Sequence, residues 1–333
     1  MQKSVLIVTH GVDDHAPLVS VELEKLGSSV VWFDTDQYQK GIDLAFEVNS
    51  GTPAVRLRVG VDEYSGDAFS SVLFRHIRLP TARHIVDPEA RRMAESELRA
   101  TLEGGLLALE PAIWVNHPYA NRAARNKLLQ LRLASELGFA VPETRVTSDP
   151  QEIRRAYVEW DGRMVAKLVG GQLRGQTVDT QYVIYTTQLK SKDLDRDSAF
   201  SACPAIYQRL IEKQYELRVT VVGEEVFACR INSQAHTSAQ IDWRAVGYDA
   251  FDLEACQLEA SVTKSCRALL RALHLEIGGI DLIVTPQGET VFLEINAAGQ
   301  WAFVQEATGL PIAAAIARLL ASCNQTTGRK NLR

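Results

Sequence analysis

The residues best suited to chemistry fall late in the chain. Asp281, Glu294 and Asn296 lie in the stretch Gly279-Ile-Asp-Leu-Ile-Val-Thr-Pro-Gln-Gly-Glu-Thr-Val-Phe-Leu-Glu-Ile-Asn296, two strand-like runs around a Pro-Gln-Gly turn. With Gln287 and Gly288 as the central turn residues, position 281 stands opposite 294. Side chains alternate along a strand, so Asp281, Glu294 and Asn296 share one face. Leu282, Val284, Leu293 and Ile295 take the other, apolar face. Two carboxylates and an amide oxygen gathered in this way repel unless a cation sits between them. Hard oxygen donors suit Mg2+, which keeps some waters and binds substrate phosphates. A solvated hairpin face carrying ordinary acids fits the same pattern.

Cationic candidates lie upstream. Lys167 sits in the apolar run Met164-Val-Ala-Lys-Leu-Val169, where an ammonium is costly to desolvate unless an anion answers it. An edge strand that turns Lys167 to water is the alternative. Lys127 follows Arg122 and Arg125 and opens the run Leu128-Leu-Gln-Leu-Arg-Leu. Positive groups at that helix start can hold a phosphate, or they are a solvated helix end. Tyr207-Gln-Arg-Leu-Ile211 is an apolar link with a polar insertion. Such a link can offer backbone N–H and C=O groups to an adenine edge while apolar side chains sandwich the ring. Glu216 and Arg218 share a face of the next strand, and Arg230, Asn232 and Gln234 alternate on the one after. Arginine suits bidentate oxyanion contacts, although each of these alone also fits a surface strand charge.

The elements that must position these groups are those of a soluble α/β chain. The 333 residues are 46% hydrophobic and 23% charged, which excludes disorder, collagen and coiled coil, and the length predicts two or three domains. The net charge of −5 argues against a bulk nucleic-acid binder, which carries a basic face. The apolar run after Met1 is too short for a signal-peptide core, and Leu310 to Ala321 is short and interrupted by Arg318. The expectation is a cytoplasmic protein without a membrane segment. The five cysteines are odd in number and show no CxxC spacing, so they read as buried free thiols.

Strands are expected at Ser4–Thr9, Ser29–Phe33, Ser71–Phe74 and Ile113–Val115, and the first two enclose a helix from Pro17 to Leu26. This βαβ unit lacks a GxGxxG turn, which argues against a dinucleotide site. Leu44–Val48 and Val55–Val59 read as a hairpin or meander. Helices are expected over Asp87–Leu109, Asn121–Leu137, Gln151–Trp160, Leu253–Leu273 and Ile312–Ala321. Arg163–Val169, Ala205–Leu210, Glu216–Val222 and Glu225–Asn232 read as strands, and Thr177–Gln188 is β-like without a clear partner.

The order Lys127, Lys167, apolar link, Glu216-x-Arg218, Asp281, Glu294-x-Asn296 resembles the ATP-grasp superfamily. The stretches Tyr207 to Gly223, Arg230-Ile-Asn-Ser-Gln234, Asp242-Trp-Arg244 and Phe292 to Trp301 resemble the microviridin-type peptide ligases, the graspetide synthetases. Val5-Leu-Ile-Val-Thr9, Phe33-Asp-Thr-Asp36 and Phe74-Arg75 are similar to that family's N-terminal domain.

The resemblance implies an α/β ATP-grasp fold with a Rossmann-like pre-ATP-grasp domain over 1–115, a central lobe over 116–204, a C-terminal lobe over 205–325 and a tail over 326–333. It implies ATP and Mg2+ as cofactors. Lys127 and Lys167 would meet the phosphates, Gln208, Arg209, Leu210 and Ile211 would form the adenine hinge, and Glu216 would meet the ribose. Asp281, Glu294 and Asn296 would hold Mg2+, and Arg218 and Arg230 would steady the transferred phosphoryl group or the acyl phosphate. One departure is visible, Ala297-Ala298 where related sequences carry a proline after the asparagine.

The implied reaction activates an Asp or Glu side chain of a ribosomal precursor peptide as an acyl phosphate. A Ser, Thr or Lys side chain of the same peptide then closes a macrolactone or macrolactam. The implied partners are the leader and core of that peptide and a second copy of the chain in a homodimer. A leader segment would dock on the β-rich stretch Gly171 to Leu189, with Gln172 and Arg174 among its contacts, unless that stretch is a lid over ATP. Arg75 and Asn232 are further candidates for the acidic peptide, although Arg75 fits a solvated strand end better. Two rival readings share the nucleotide site: a glutamate-adding or dipeptide-forming ATP-grasp ligase, and a regulatory protein that binds nucleotide without turning it over.

Overall fold

The computed structural model describes residues 3–48, 54–111, 113–170, 173–174, 181–182 and 185–322. It divides the chain into two compact units. One comprises residues 1–121, 275–277 and 311–333, and the other residues 122–274 and 278–310.

In the first unit the apolar run Ser4–Thr9 forms strand β1, whose Val5, Leu6, Ile7 and Val8 are fully buried. A strand hidden on both faces needs apolar residues at successive positions rather than alternate ones. Helix α1 (Ala16–Lys25) carries the chain to β2 (Val30–Asp34), parallel to β1. An antiparallel meander follows, β3 (Ile42–Glu47), β4 (Ala54–Val59) and β5 (Asp62–Ser65). The chain then returns through β6 (Phe69–Phe74) to the other side of β1. Helix α2 (Pro88–Leu107) begins where the Asp87 carboxylate accepts the Ala90 N–H, and β7 (Ile113–Val115) completes a sheet of order β2-β1-β6-β7.

Leu102 and Leu106 of α2 join Leu6, Phe33, Leu44, Leu57 and Val72 in one core. The approach of α2 to β3 is close enough to demand glycine. A Cβ at Gly105 would lie 1.8 Å from Leu44 Cδ2. The helix Ile312–Ala321, far away in sequence, packs against α1 and β6 of this unit, so a division of the chain at linear boundaries does not capture it.

In the second unit one helix was expected over Asn121–Leu137, and two are found, α3 (Pro118–Ala124, which begins in the first unit) and α4 (Lys127–Glu136). The break lies at Asn126, whose side-chain oxygen accepts the N–H groups of Leu128 and Leu129 and starts a new helix. β8 (Thr144–Thr147), α5 (Pro150–Glu159) and β9 (Met164–Lys167) follow. The short segments β10 (Leu173–Arg174) and β11 (Gln181–Tyr182) pair with each other. β12 (Thr187–Gln188), α6 (Asp197–Ala202) and β13 (Ala205–Arg209) complete an antiparallel sheet of order β12-β9-β13-β8. Its core is Ile153, Ala156, Trp160, Met164 and Tyr207.

A five-stranded sheet of order β16-β15-β14-β17-β18 is built from β14 (Tyr215–Val222), β15 (Glu225–Ile231), β16 (Leu253–Cys256), β17 (Ile277–Val284) and β18 (Thr290–Asn296). The expected helix Leu253–Leu273 is therefore shorter. Residues Leu253–Cys256 pair with the edge of β15 instead, and α7 runs from Ala260 to Ala272. Helices α8 (Ala302–Thr308) and α9 (Ile312–Ala321) end the described chain. Of the cysteines, Cys229 and Cys266 are buried, Cys256 is half-buried and Cys203 is exposed, so the expectation of uniformly buried thiols fails at Cys203. Cys323 lies outside the described residues. No helix among the described residues is long and apolar enough to cross a membrane.

The loop after β1 meets the end of β6 through a buried ion pair. Arg75 Nε donates to Asp13 Oδ2 at 3.3 Å, and Thr9 Oγ1 donates to the same oxygen at 2.7 Å. Burial pushes the Asp13 carboxyl up, but Arg75 and the hydrogen bonds from Thr9 and His15 outweigh it and hold the group down at about 2. Removing one member of such a pair leaves the other charge uncompensated in a dry site. Asp13→Ala is expected to destabilise the protein by about 3 kcal/mol, measured as a lowered denaturation midpoint, with Asp13→Asn costing less.

Candidate functional site

Fourteen residues separate Lys127 from Pro142, and both line a cleft of the second unit. The cleft also gathers Lys167 from β9, Gln208 to Ile211 from β13 and the following link, Lys213 and Glu216 from the start of β14, Asp281 and Ile283 from β17, and Leu293, Glu294 and Asn296 from β18. The short helical turn Trp243–Ala245 between β15 and β16, with the residues just before it, contributes Ile241 to Arg244.

The hairpin of β17 and β18 positions the acidic residues. Asp281 is paired with Glu294, as the parity argument requires, but by a different route. The connection from Thr285 to Glu289 is one residue longer than a two-residue turn, since Thr285 N–H donates to the Glu289 carbonyl and Gly288 N–H to the Thr285 carbonyl. Val284 therefore faces Thr290 and Leu282 faces Phe292. A bulge at Leu293 restores the Asp281–Glu294 pairing. The extra residue turns Leu293 toward the cleft, where it lines the wall, rather than onto the apolar face expected for it. Leu282 and Ile295 are buried on the opposite side.

Glu294 is the centre of the charge arrangement. Lys127 Nζ approaches its Oε2 at 3.2 Å, and Arg244 Nη1 donates to its Oε1 at 3.2 Å. Burial pushes its carboxyl up, but Lys127, Arg244 and Lys167 outweigh burial, and the group ends below the usual carboxylate range. Asp281 moves the other way. Burial and the facing Glu294 raise it, and Arg218 and Arg244 offset this only in part. Burial pushes the Lys167 ammonium down to about 8, with Lys127 and Arg244 adding to the shift and Glu294 and Asp242 opposing it.

Helix α4 is locked to β18 by one buried amide. Gln130 Nε2 donates to the Ala124 and Ile295 carbonyls at 2.6 and 2.9 Å, and its Oε1 accepts the Ile295 N–H at 3.1 Å. Gln130 lies one turn beyond Lys127, and Ile295 is adjacent to Glu294. The amide thus sets the distance between the ammonium and the carboxylate.

Sequence candidates separate into groups. Lys127, Lys167, Gln208, Arg209, Leu210, Ile211, Glu216, Asp281, Glu294 and Asn296 all line the cleft. Glu216 is held by Lys213, whose Nζ donates to its Oε1 at 2.7 Å and to the Ile241 carbonyl at 3.1 Å. Arg218 lies behind the cleft. It donates from Nη1 to Asp281 Oδ1 at 2.8 Å and from Nη2 to the Gln300 carbonyl at 3.0 Å. That contact, with Gly299 N–H donating to the Asn296 carbonyl at 3.0 Å, holds the turn that lacks the expected proline. The guanidinium sits so close to β17 that a Cβ at Gly279 would lie 2.6 Å from Arg218 Nη2.

Arg230 pairs across the ladder with Leu217 and so faces away from Glu216 and Arg218. Its guanidinium covers the Tyr215 ring at 4.2 Å. Asn232 is exposed and is not among the lining residues. Arg75 is buried rather than solvated, and it pairs with Asp13 inside the first unit. Gln172 lies outside the described residues, and of Arg174 only the backbone, paired with Gln181, is described.

Sequence reasoning missed Lys213 and gave Arg244 no role. Both lie outside regular strands, where no periodicity marks them. The one available signal was the Asp242-Trp-Arg244 stretch itself.

The residues fit Mg2+. Among the described residues no group of three His, Cys, Asp or Glu side chains assembles a metal cage. The set here is two facing carboxylates and an amide oxygen, and a metal that keeps waters and takes phosphate oxygens needs no more than that from the protein. Burial raises Asp281 most, and the facing Glu294 adds like-charge repulsion, the part that a divalent ion would relieve.

Comparison with known proteins agrees with this geometry. Residues 4–122 match the MvdD pre-ATP grasp domain, and residues 124–320 match the RimK-like ATP-grasp domain. The chain belongs to the RimK-like ATP-grasp family and is an ATP-grasp ligase of mixed α/β fold with an N-terminal pre-ATP-grasp domain. A Chryseobacterium gregarium RiPP-associated ATP-grasp ligase, solved with ADP and a leader and core peptide, is 30% identical, with 96% of this chain and 97% of that one covered and a TM-score of 0.89. The macrocyclase MdnC of Microcystis aeruginosa, solved with the precursor peptide MdnA, is 28% identical over 96% of this chain and 99% of that one, with a TM-score of 0.83. A probable alpha-L-glutamate ligase of Histophilus somni is 25% identical over 202 residues, 60% of this chain and 64% of that protein. The chain thus matches less than two thirds of the length of this curated relative. The resemblance to graspetide synthetases read from the sequence is borne out.

The Gln130 contact has a measurable consequence. Gln130→Leu strips hydrogen bonds from buried backbone groups of Ile295 and Ala124, each worth about 1–3 kcal/mol when left unmade. A loss of about 2–4 kcal/mol in unfolding free energy is expected, with amide hydrogen exchange accelerated first at Ile295.

Proposed function

We propose that the chain is an ATP-dependent macrocyclase that closes side-chain rings in a ribosomal precursor peptide. The observation that carries the reading is the convergence of Lys127, Lys167, Asp281, Glu294 and Asn296 on one cleft, in a chain that aligns almost end to end with peptide-modifying ATP-grasp ligases. The glutamate-adding alternative has weaker support, because that relative matches only 60% of the chain.

In this reading Gln208 to Ile211 border the adenine, with Leu293 and Ile283 as apolar walls, and Lys127 and Lys167 hold the phosphates. Asp281, Glu294 and Asn296 hold Mg2+, which supplies positive charge to the phosphoryl oxygens. A carboxylate oxygen of a peptide Asp or Glu bonds to the terminal phosphorus of ATP. The bridging P–O bond breaks and its electron pair leaves with ADP. A hydroxyl or amine of the same peptide then bonds to the acyl carbon. The C–O bond to phosphate breaks, and phosphate departs with the electron pair and the nucleophile's proton. Holding both peptide groups together supplies the effective concentration for ring closure. The reading includes a homodimer, as the family resemblance implies, and a cytoplasmic enzyme, as the sequence patterning suggests.

Incubation with a candidate precursor peptide, ATP and Mg2+ should remove about 18 Da for each ring, one water, in the mass spectrum. Glu294→Ala should reduce turnover by about 1,000-fold or more while circular dichroism stays unchanged, since it removes a ligand charge. Ring closure that proceeds without ATP sinks the reading.

The depressed Lys167 adds a pH dependence. Its value of about 8 lies below the ordinary 10.5, so phosphate binding selects the ammonium form and takes up a proton above pH 8. Nucleotide affinity should be level below pH 8 and fall by up to about tenfold per pH unit above it, as read by titration calorimetry. Lys167→Arg should flatten that dependence.

A further inference from the structure

The apolar link after β13 was expected to offer its backbone to a base, but two of its N–H groups are already engaged. Arg209 N–H donates to the Glu143 carbonyl at 3.0 Å, and Leu210 N–H to the Arg163 carbonyl at 2.8 Å. Gln208 offers a side chain instead. Its neighbour Tyr207 enters the core with Ile153 and Trp160, so Gln208 takes the opposite face of β13 and lines the cleft. It is only 2% exposed.

Directly across the ladder from Gln208 stands Thr144 of β8, and paired residues share a face. Gln208 Nε2 donates to Thr144 Oγ1 at 3.0 Å, and Thr144 Oγ1 donates to the Pro142 carbonyl at 2.7 Å. A threonine hydroxyl has one proton. With that proton spent on Pro142, Oγ1 can only accept, and the amide atom beside it must be the NH2 group. The relay therefore fixes which way round the amide stands. Gln208 lines the cleft and Thr144 does not, so the amide atom turned away from Thr144, toward the cleft, is Oε1. That oxygen is buried and has no hydrogen-bond partner among the described residues. A buried acceptor left unmade is costly, and this one calls for a donor on whatever fills the cleft.

We propose that Thr144 is a positioning residue that sets the base specificity of the nucleotide site. It holds the Gln208 amide with its oxygen toward the base, which favours a purine with an amino group at C6 and disfavours one with a carbonyl there. The inference rests on the nucleotide reading of the cleft. Adenine presents N6–H donors, which complete the amide, whereas a 6-oxo purine presents an acceptor. Two acceptors then face each other and neither is satisfied. A free amide escapes that clash by turning over. Here a turned amide would set Oε1 against a hydroxyl oxygen whose proton is already given to Pro142. A site built around a fixed polar group discriminates more strongly than an apolar pocket can.

The test compares ADP with inosine diphosphate, whose base carries a carbonyl at C6. Affinities with Mg2+ are measured by titration calorimetry for the wild type, Thr144→Val, Thr144→Ala and Thr144→Ser, with thermal melts as a check on folding. The wild type is expected to prefer ADP by about 100-fold. Thr144→Val keeps the shape and removes the hydroxyl. The preference should fall to about fivefold, largely through tighter binding of inosine diphosphate, a gain that a loosened fold would not produce. Thr144→Ala should behave alike, and Thr144→Ser, which retains the hydroxyl, should keep the wild-type preference. A wild type that binds both nucleotides equally overturns the role of Thr144 and leaves the nucleotide reading standing. So do folded valine and alanine variants that keep the wild-type preference or lose affinity for both nucleotides alike. A wild type that binds neither nucleotide overturns both.

Discussion

The Glu294 carboxylate is the point on which the second unit turns. Lys127 takes one oxygen, Arg244 the other, and Lys167 adds its field from β9. Three cations from three separate elements are assembled around one anion inside a cleft, at a site where each charge alone would be expensive to bury. The carboxylate draws those three elements together within the cleft. The lysines and the arginine would otherwise repel one another, so the acidic hairpin organises the basic wall as well as facing it.

The supporting contacts form a chain of uncharged or paired groups that do not touch the cleft's centre. Gln130 sets where α4 meets β18. Arg218 secures Asp281 from behind and catches the turn at Gln300. Lys213 joins Glu216 to the turn that carries Asp242. Each has its polar atoms aimed at backbone or at an opposite charge, so the functional groups rest on directional contacts rather than on apolar packing alone. Gly279 is part of this scaffold, because only a residue without a side chain admits the Arg218 guanidinium over β17.

Legibility in the sequence followed regularity. Continuous apolar runs identified β1, β6 and β17, and alternation with parity put Asp281 opposite Glu294. That pairing emerged although the loop was a residue longer than the simplest turn, because the bulge at Leu293 compensated for it. The error surfaced only at Leu293, whose face was inverted. The N-terminal boundary of α4 was hidden, since Asn126 reads as an ordinary helix residue until its side chain is seen capping. Leu253 to Cys256 has no periodic feature that separates a short edge strand from the first turn of a helix, and the choice is made by the open edge of β15. Arg244 and Lys213 sit in loops, where residue type speaks but spacing does not. Arg75 looked like a solvated strand end because its partner, Asp13, is 62 residues away in sequence.

The return of α9 to the first unit has a bearing on biosynthesis. The helix Ile312–Ala321 fills a place against α1 and β6, elements that leave the ribosome more than two hundred residues earlier. The opening unit must therefore wait, with part of its apolar surface bare, until residues 312–321 have been translated. The second unit has its own strands and cores complete by Leu310 and can form in the interval. The second unit is then the earlier to mature, and the first, though begun before it, is sealed after it.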